Sequence, residues 1–284
     1  GHVVGYDERF RLDVKTFLDL AQQHGIAVEF TLLDYLIAAK PRLVNGVWVQ
    51  GRRAIFTDPR IRQEFVDKFV TPLLREFGRH PAWKILDVGN ELEYCLRRED
   101  GGGAHEITDP DSAIDRPVPL TDLLAYIDLV RAAVKQQAPQ LLLTGGFNSV
   151  TYAPLWKHLK GRVDYGAGHW YPKWGPRKAL LTKAKADADA VGLQLALEEY
   201  PSISQEFDEA LPEARAIGII GASYWNQAAG TDDQTSPARR LAEQLRRLGE
   251  FIRRHPGLYA LVPFFPMGQF GLMGGGVTPD AAGL

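Results

Sequence analysis

Short apolar runs rich in Val, Ile and Leu alternate along the chain with longer amphipathic stretches. Such runs are typical of strands covered on both faces, and the amphipathic stretches are typical of helices that bury one face. We predict strands over residues 2–6, 26–33, 84–89, 140–147, 163–169, 193–199 and 217–225. We predict helices over residues 12–24, 58–79, 121–137, 152–159, 177–191, 204–214 and 237–255.

Residues at the ends of several predicted helices support these bounds. Asp58 precedes Pro59 as a capping residue precedes a first helical turn, and Thr121 opens the third predicted helix. Gly25 and Gly192 follow the first and fifth helices, where a left-handed closing residue is favoured. The alternation predicts a parallel sheet with helices outside it, and both a doubly wound sheet and a closed eight-stranded barrel fit that pattern.

The strand count favours the barrel. Seven predicted strands precede residue 226, and an apolar, aromatic segment over residues 258–271 offers the eighth. We therefore predict an α/β fold, a single-domain (β/α)8 TIM barrel over residues 1–284, circularly permuted so that the C-terminal segment supplies the first strand. The alternative is a chain that lacks its front and carries a stub of another domain in this segment.

The composition limits the kinds of binding partner that we expect for this protein. The chain has 284 residues, with 33 Lys and Arg against 35 Asp and Glu, so its net charge of -2 gives no attraction to nucleic acid or an anionic membrane. Cys95 is its one cysteine, which excludes an intrachain disulfide and a cysteine-based zinc cluster. No apolar run is long enough to span a membrane. No signal peptide is visible, so we expect a soluble protein of unassigned compartment.

Two predicted strands end in carboxylates. One apolar run ends in Asn90-Glu91, and a later one ends in Glu198-Glu199-Tyr200. The carboxyl ends of parallel strands share one edge of a sheet or one mouth of a barrel, so the two ends can face each other. Glycoside hydrolysis needs such a pair, with one protonated carboxyl that donates to the leaving oxygen and one carboxylate that attacks the anomeric carbon.

With these motifs the chain resembles the large clan of retaining glycoside hydrolases built on eight-stranded barrels, the cellulase and mannanase type. In that clan an Asn-Glu pair closes the fourth strand, which matches Asn90-Glu91 here. A glutamate followed by an aromatic and a glycine closes the seventh strand, which Glu199-Tyr200 matches, with Pro201 in place of the glycine. The resemblance implies that Glu91 is the general acid/base and Glu199 the nucleophile of a β-glycosidase that retains configuration.

Two further motifs support the resemblance. The predicted sixth strand ends in His169-Trp170-Tyr171, similar to the clan's His-x-Tyr, whose tyrosine hydroxyl commonly bonds the nucleophile. The predicted eighth strand ends at Trp225, where the clan has a tryptophan that forms a sugar platform. The resemblance also implies that Asn90 bonds the 2-hydroxyl of the sugar. The residues expected to bind substrate are Asn90, His169, Trp170, Tyr171, Trp174, Glu198 and Trp225.

Adjacent glutamates leave a choice, because alternation along a strand lets only one of them point into the mouth. Glu199 is favoured because the aromatic follows it directly, and Glu198 is expected to face the helices or to hydrogen-bond at the rim. The expected partner is an oligo- or polysaccharide. No metal or organic cofactor is expected, because no histidine pair has metal-ligand spacing and no phosphate-binding loop occurs. The alternatives are a non-catalytic carbohydrate-binding barrel and a non-glycosidase barrel enzyme such as a lyase or isomerase.

Overall fold

One parallel sheet organises the fold. The computed structural model describes residues 2–44, 46–96, 114, 116–147, 153–171, 174–199, 212–220, 222–223 and 260–264. In the order of hydrogen-bonded neighbours, the strands of the sheet are β5 (Leu142–Thr144), β4 (Trp83–Asp87), β1 (Ala27–Thr31), β10 (Ala260–Phe264), β9 (Ala222–Ser223), β8 (Leu195–Glu199), β7 (Gly166–His169) and β6 (Gly146–Phe147).

The two ends of this order are consecutive in the chain. Gly145 alone separates β5 from β6, so β5 pairs with β4 while β6, two residues later, pairs with β7. All pairs within the sheet are parallel. The C-terminal ends of β1, β4, β6, β7 and β8 therefore lie at one edge of the sheet, which we call the carboxyl edge.

Helices fill the connections between the strands. A short antiparallel hairpin, β2 (Arg42–Val44) with β3 (Val47–Val49), lies in the connection that follows β1. The described part of the chain includes a further helical stretch over residues 212–217. The helices are α1 (Glu8–Gln23), α2 (Ala54–Thr57), α3 (Pro59–Phe65), α4 (Thr71–Phe77), α5 (Leu120–Gln137), α6 (Ala153–Leu159) and α7 (Arg177–Val191).

Local sequence explains where the helices begin and end. The Asp7 carboxylate caps α1 by accepting a hydrogen bond from the Phe10 amide at 2.8 Å, and the left-handed Gly192 closes α7. A π-helical turn (Val66–Val70) joins α3 to α4 just before Pro72, whose ring removes one backbone donor. Among the described helices, none is both long and apolar enough to cross a membrane.

The two faces of the sheet differ in chemistry. Val28, Phe30 and Leu86 point towards the helices and belong to the main apolar core. The opposite face, which we call the inner face, holds the small apolar cluster of Ile85, Tyr165, Ala167 and Ala196. Strand alternation then places a set of buried polar side chains on this face. They are Glu29, Thr31, Asp87, Thr144, His169 and Glu198.

Most of the predicted elements that fall in the described ranges are confirmed. The predicted helix over 177–191 coincides with α7, and the one over 121–137 differs from α5 by one residue. β10 lies in the sheet between β1 and β9, within the segment predicted to supply a strand. The predicted helix over 237–255 and most of that over 204–214 lie outside the described residues.

The strand predicted over residues 2–6 is wrong, because residues 2–7 form no regular element. The Val3 amide donates to Glu64 Oε2 at 3.1 Å. Gly5 has a φ of +101°, and a Cβ atom placed there would lie only 2.8 Å from the carbonyl oxygen of Lys68. This segment thus runs along the helical stretch from α3 to α4, and β10 pairs directly with β1 where residues 2–6 were expected.

Candidate active site

The backbone of Asn90 extends the pairing of β1 with β4 beyond the ends of both strands. Its amide donates to the Leu33 carbonyl at 2.8 Å, and its carbonyl accepts from the Tyr35 amide at 3.0 Å. Asp34 and Asn90 thereby form a parallel bridge. Their side chains also meet, since Asn90 Nδ2 donates to Asp34 Oδ2 at 2.8 Å, and both residues are buried.

Glu91 turns the chain away from the sheet. Its φ of 52° and ψ of 34° are left-handed, and a short 3₁₀ helix (Leu92–Cys95) begins immediately after it. Its amide donates to the Gly146 carbonyl at 3.0 Å. A residue other than glycine in this conformation is uncommon and is found preferentially at functional sites.

The carboxylate of Glu91 lies against a buried imidazole. His169 Nδ1 is 3.3 Å from Glu91 Oε1, and the His169 side chain is 1% exposed whereas that of Glu91 is 16% exposed. The ring nitrogen and the carboxylate are within ion-pair distance of each other, and the ring is almost completely screened from water. A carboxyl group in such a place is suited to general acid and base chemistry.

The end of β8 follows a register irregularity. The pairing of β7 with β8 shifts between Gly168 and His169, so that the Cα partner of His169 is Glu199. The Glu199 side chain lies outside the described part of the structure. Because a bulge places an extra residue in one strand, strict alternation does not carry across this point.

Of the two orientations expected for Glu198, the one towards the helices does not fit the structure, because its side chain is buried two residues after Ala196 of the inner cluster. The other, a hydrogen bond at the rim, stays a prediction. A Cβ atom built on Gly146 would collide with Glu198 Oε2 and would lie 3.6 Å from His169 Nε2. The Glu198 carboxylate therefore reaches past β7 to β6 and lies near the ring that contacts Glu91.

Asp87 connects two segments of the carboxyl edge. Its Oδ1 accepts hydrogen bonds from the Gly89 amide at 3.0 Å and from the Gly146 amide at 3.1 Å. Burial raises the pKa of Asp87 to about 6, and these two amides, the Thr31 hydroxyl and His169 act in the opposite direction. Asp87 thus lies next to the turn that carries Glu91. It also contacts Gly146, whose carbonyl accepts a hydrogen bond from the Glu91 amide.

Tyr165 indicates how closely the inner carboxylates gather. Burial raises the pKa of its hydroxyl well above the usual range, and the charges of Glu29, Glu198 and Asp87 raise it further. Several acidic groups therefore lie within electrostatic reach of one phenol on the inner face. Among the described residues, however, no group of three or more His, Cys, Asp or Glu side chains is arranged to hold a metal ion.

The aromatic residues expected at the site differ in placement. Trp170 is 5% exposed, belongs to the main core and lies 5.8 Å from the Arg177 guanidinium, so it offers a sugar little open face. Tyr171 and Trp174 are half-buried and meet edge to face with ring centroids 5.0 Å apart. Trp225 lies outside the described residues.

Sequence reasoning did not single out Asp34, Asp87 or Glu29. A signal for two of them was present, since Glu29 and Asp87 each interrupt an apolar strand and stand at inward positions of the alternation. Asp34 follows Leu32-Leu33 just beyond the end of β1, and Asn90-Glu91 has the equivalent position beyond the end of β4.

Comparison with known proteins places this geometry in a fold class. No family model matches the chain, and a search of curated proteins finds no match. The structure is similar to the β-mannanase from blue mussel Mytilus edulis, with a TM-score of 0.63 and 17% identity over 91% of this chain and 76% of that one. It is also similar to the β-1,4-D-mannanase from Cryptopygus antarcticus, with a TM-score of 0.58 and 16% identity over 87% and 73% of the two chains.

A third similar structure is the endo-1,4-β-mannanase from Eisenia fetida, with a TM-score of 0.55 and 19% identity over 87% of this chain and 73% of that one. At these identities the likeness concerns the fold. The chain has a cellulase/mannanase-like glycoside hydrolase fold, which confirms the resemblance inferred from the strand ends.

Proposed function

We propose that the protein is a glycoside hydrolase that cleaves β-linked glycosides with retention of configuration. Glu91 is the general acid/base and Glu199 the nucleophile. The observation that carries the proposal is the position of His169, whose ring lies 3.3 Å from the Glu91 carboxylate while its Cα pairs in register with that of Glu199. One residue of β7 thus links the two strand ends that hold the carboxylates.

The reaction proceeds by double displacement. Glu199 attacks the anomeric carbon and forms a covalent glycosyl-enzyme, while Glu91 protonates the departing oxygen. Glu91, now ionised, removes a proton from water, which attacks the same carbon and releases the sugar. This mechanism requires the carboxyl groups to be about 5–5.5 Å apart. The His169 ring lies against the Glu91 carboxylate and orients it.

We also propose a barrel architecture. The sheet closes into a (β/α) barrel, supported by Gly145, which joins its two ends, and by the inner cluster of Ile85, Tyr165, Ala167 and Ala196. The strand order is circularly permuted, with β10 between the first and the penultimate strands of the chain, and residues 1–284 form one catalytic domain. The substrate is an oligo- or polysaccharide, in line with the mannanases of similar fold.

Covalent trapping tests the nucleophile. The wild-type protein is incubated with dinitrophenyl 2-deoxy-2-fluoro-β-glycosides of the gluco, manno, galacto and xylo series, and labelled peptides are identified by mass spectrometry. We expect the mass increase on Glu199. A label on Glu198 would transfer the role of nucleophile to that residue, and cleavage of the parent glycosides with an inverted first product would contradict the retaining mechanism.

Variants provide the second arm of this test. Glu199→Ala should nearly abolish turnover, and azide should restore it by forming the glycosyl azide of inverted anomeric configuration. Glu76→Gln is the matched control, because Glu76 pairs with Arg11 on the helical surface, at 2.7 Å. Binding of β-mannan or β-glucan without release of reducing ends would instead favour the non-catalytic carbohydrate-binding alternative.

A further inference from the structure

Asp34 holds the amide group of Asn90 in one orientation. Both of its carboxylate oxygens accept hydrogen bonds, Oδ1 from the Leu36 amide and Oδ2 from Asn90 Nδ2, each at 2.8 Å. Asp34 is 2% exposed and Asn90 is 8% exposed, so water has little access to this contact. Because both Asp34 oxygens accept hydrogen bonds, Nδ2 rather than Oδ1 of Asn90 faces the carboxylate.

The backbone leaves the Asn90 side chain little freedom. Asn90 is bound to Leu33 and Tyr35 on either side of Asp34, at 2.8 Å and 3.0 Å. With one N–H committed to Asp34, the second N–H of the planar amide and Oδ1 have fixed directions. If the Asn90 amide were flipped by 180°, its oxygen would replace Nδ2, and an acceptor would stand where the second N–H now offers a donor.

We infer that Asp34 is a positioning residue, which makes Asn90 a committed hydrogen-bond donor to the 2-hydroxyl of the sugar at the cleavage point. The inference rests on the proposed function and on the contact between Asn90 and this hydroxyl that the family resemblance implies. Contacts to the 2-hydroxyl strengthen in the transition state of glycoside hydrolysis, so an amide fixed beforehand favours turnover rather than ground-state binding. Asp34 thereby sets the dependence of the enzyme on a 2-hydroxyl.

The variant Asp34→Asn removes the control over the Asn90 orientation but keeps the hydrogen bond to the Leu36 amide. The new side chain keeps an oxygen that can accept from Leu36, but its amide can also donate to Asn90 Oδ1, so the Asn90 amide is free to flip by 180°. We expect kcat/KM to fall about 10- to 100-fold on a dinitrophenyl β-glycoside that carries a 2-hydroxyl. On the matching 2-deoxy glycoside we expect a change of less than about twofold, because the contact that Asp34 supports is already missing.

Asp7→Asn is the matched control, since Asp7 also accepts an amide hydrogen bond at a helix start, that of α1, and has no contact with Asn90. It should leave both rates unchanged. An equal loss on both substrates in Asp34→Asn, or no loss on either, would overturn the inference while leaving the proposed function intact. If the wild-type protein cleaves none of the glycosides, the proposed function fails and this inference falls with it.

A second measurement needs no substitution at Asp34. In the wild-type protein, the side-chain amide signal of Asn90 is assigned by NMR from its loss in Asn90→Ala. We expect one of its two protons, the one bonded to Asp34, to exchange with solvent at least about tenfold more slowly than the other. Equally fast exchange of both protons would overturn the inference even if Asp34→Asn did not fold.

Discussion

Asp87 shows how a single buried oxygen can hold two segments of the carboxyl edge. The amides of Gly89 and Gly146 both donate to its Oδ1. The carbonyl of Gly146 in turn accepts from the amide of Glu91. A neutral acid or an amide could accept the same two hydrogen bonds, so the charge of Asp87 is not needed to maintain this connection.

Asp87 should make the stability of the protein depend on pH. The pKa of Asp87 is about 6 in the folded protein against a usual value of 3.8, so the folded state holds a proton that the unfolded state releases between these values. The contribution of Asp87 to wild-type stability should therefore fall as pH rises from about 4 to about 6. Asp87→Asn, which cannot titrate, should gain roughly 2–3 kcal/mol relative to wild type over this range, measured by urea unfolding at several pH values.

Asp19→Asn gives a control of opposite sign. Lys15 and His80 hold the pKa of Asp19 below its usual value of 3.8. The stability that Asp19 contributes is present above that value and is lost as pH falls through the lowered pKa. Asp19→Asn should thus be less stable than wild type above that value, and the difference should shrink as pH falls below about 4. A difference between Asp87→Asn and wild type that stays level from about pH 4 to about 6 would contradict the assignment of Asp87.

At the scale of elements, the site depends on how β6, β7 and β8 meet. Gly146 has no side chain, and the Glu198 carboxylate occupies the space where a Cβ would lie. The register irregularity between Gly168 and His169 brings Glu199 level with the histidine. A glycine and a bulge thus allow two acidic strand ends to approach the same imidazole.

Gly146→Ala tests this arrangement. The colliding atom is the far end of a flexible side chain, so the strand can stay in place while the Glu198 carboxylate moves. We expect a loss of roughly 1–3 kcal/mol in the free energy of unfolding. We also expect kcat/KM on an aryl β-glycoside to fall at least about tenfold, because a displacement of this kind at an active site is costly.

Gly166→Ala is the matched control on the neighbouring strand. A Cβ atom at that position would have its nearest contact at 3.7 Å, from the Gln194 carbonyl oxygen, which is ordinary van der Waals distance. It should retain activity. If Gly146→Ala behaved like Gly166→Ala, the Glu198 carboxylate would not need the place that the structure gives it.

The sequence predicted the elements better than the contacts between them. Asn90-Glu91 and His169 were identified because polar residues at the ends of buried strands share one edge. Alternation alone could not settle how both Glu198 and Glu199 are oriented, because the register irregularity at the end of β8 has no signature in the residue pattern. Asp34 was missed because its importance comes from a pairing with Asn90 that the chain creates only when β1 and β4 are adjacent.

At the scale of the whole molecule, β10 closes a gap between the first strand of the sheet and one of the last. Residues 27–30 of β1 pair with 261–264, and β10 also pairs with β9. Without β10, two neighbours would each present an unpaired edge. The strand expected from residues 2–6 could not be judged from its sequence, because its apolar pattern also suits a segment packed along a helix.

A truncation compares these two segments. The chain ending at residue 259 should lose its cooperative thermal transition, followed by circular dichroism, because the ladders on both sides of β10 disappear. Deletion of residues 2–5 should keep a cooperative transition at a lower Tm, since it removes contacts to Glu64 but no strand. If the chain ending at 259 unfolded as cooperatively as the full chain, the position of β10 in the sheet would be contradicted.

The backbone conformation of Glu91 has a consequence for how such a protein can change. A side chain other than glycine in the left-handed region costs about 1 kcal/mol, so a glycine would fold more favourably at the position proposed to donate the proton. Under the proposed mechanism, substitutions chosen for thermal stability alone would favour replacing Glu91 by glycine and would remove the proposed acid.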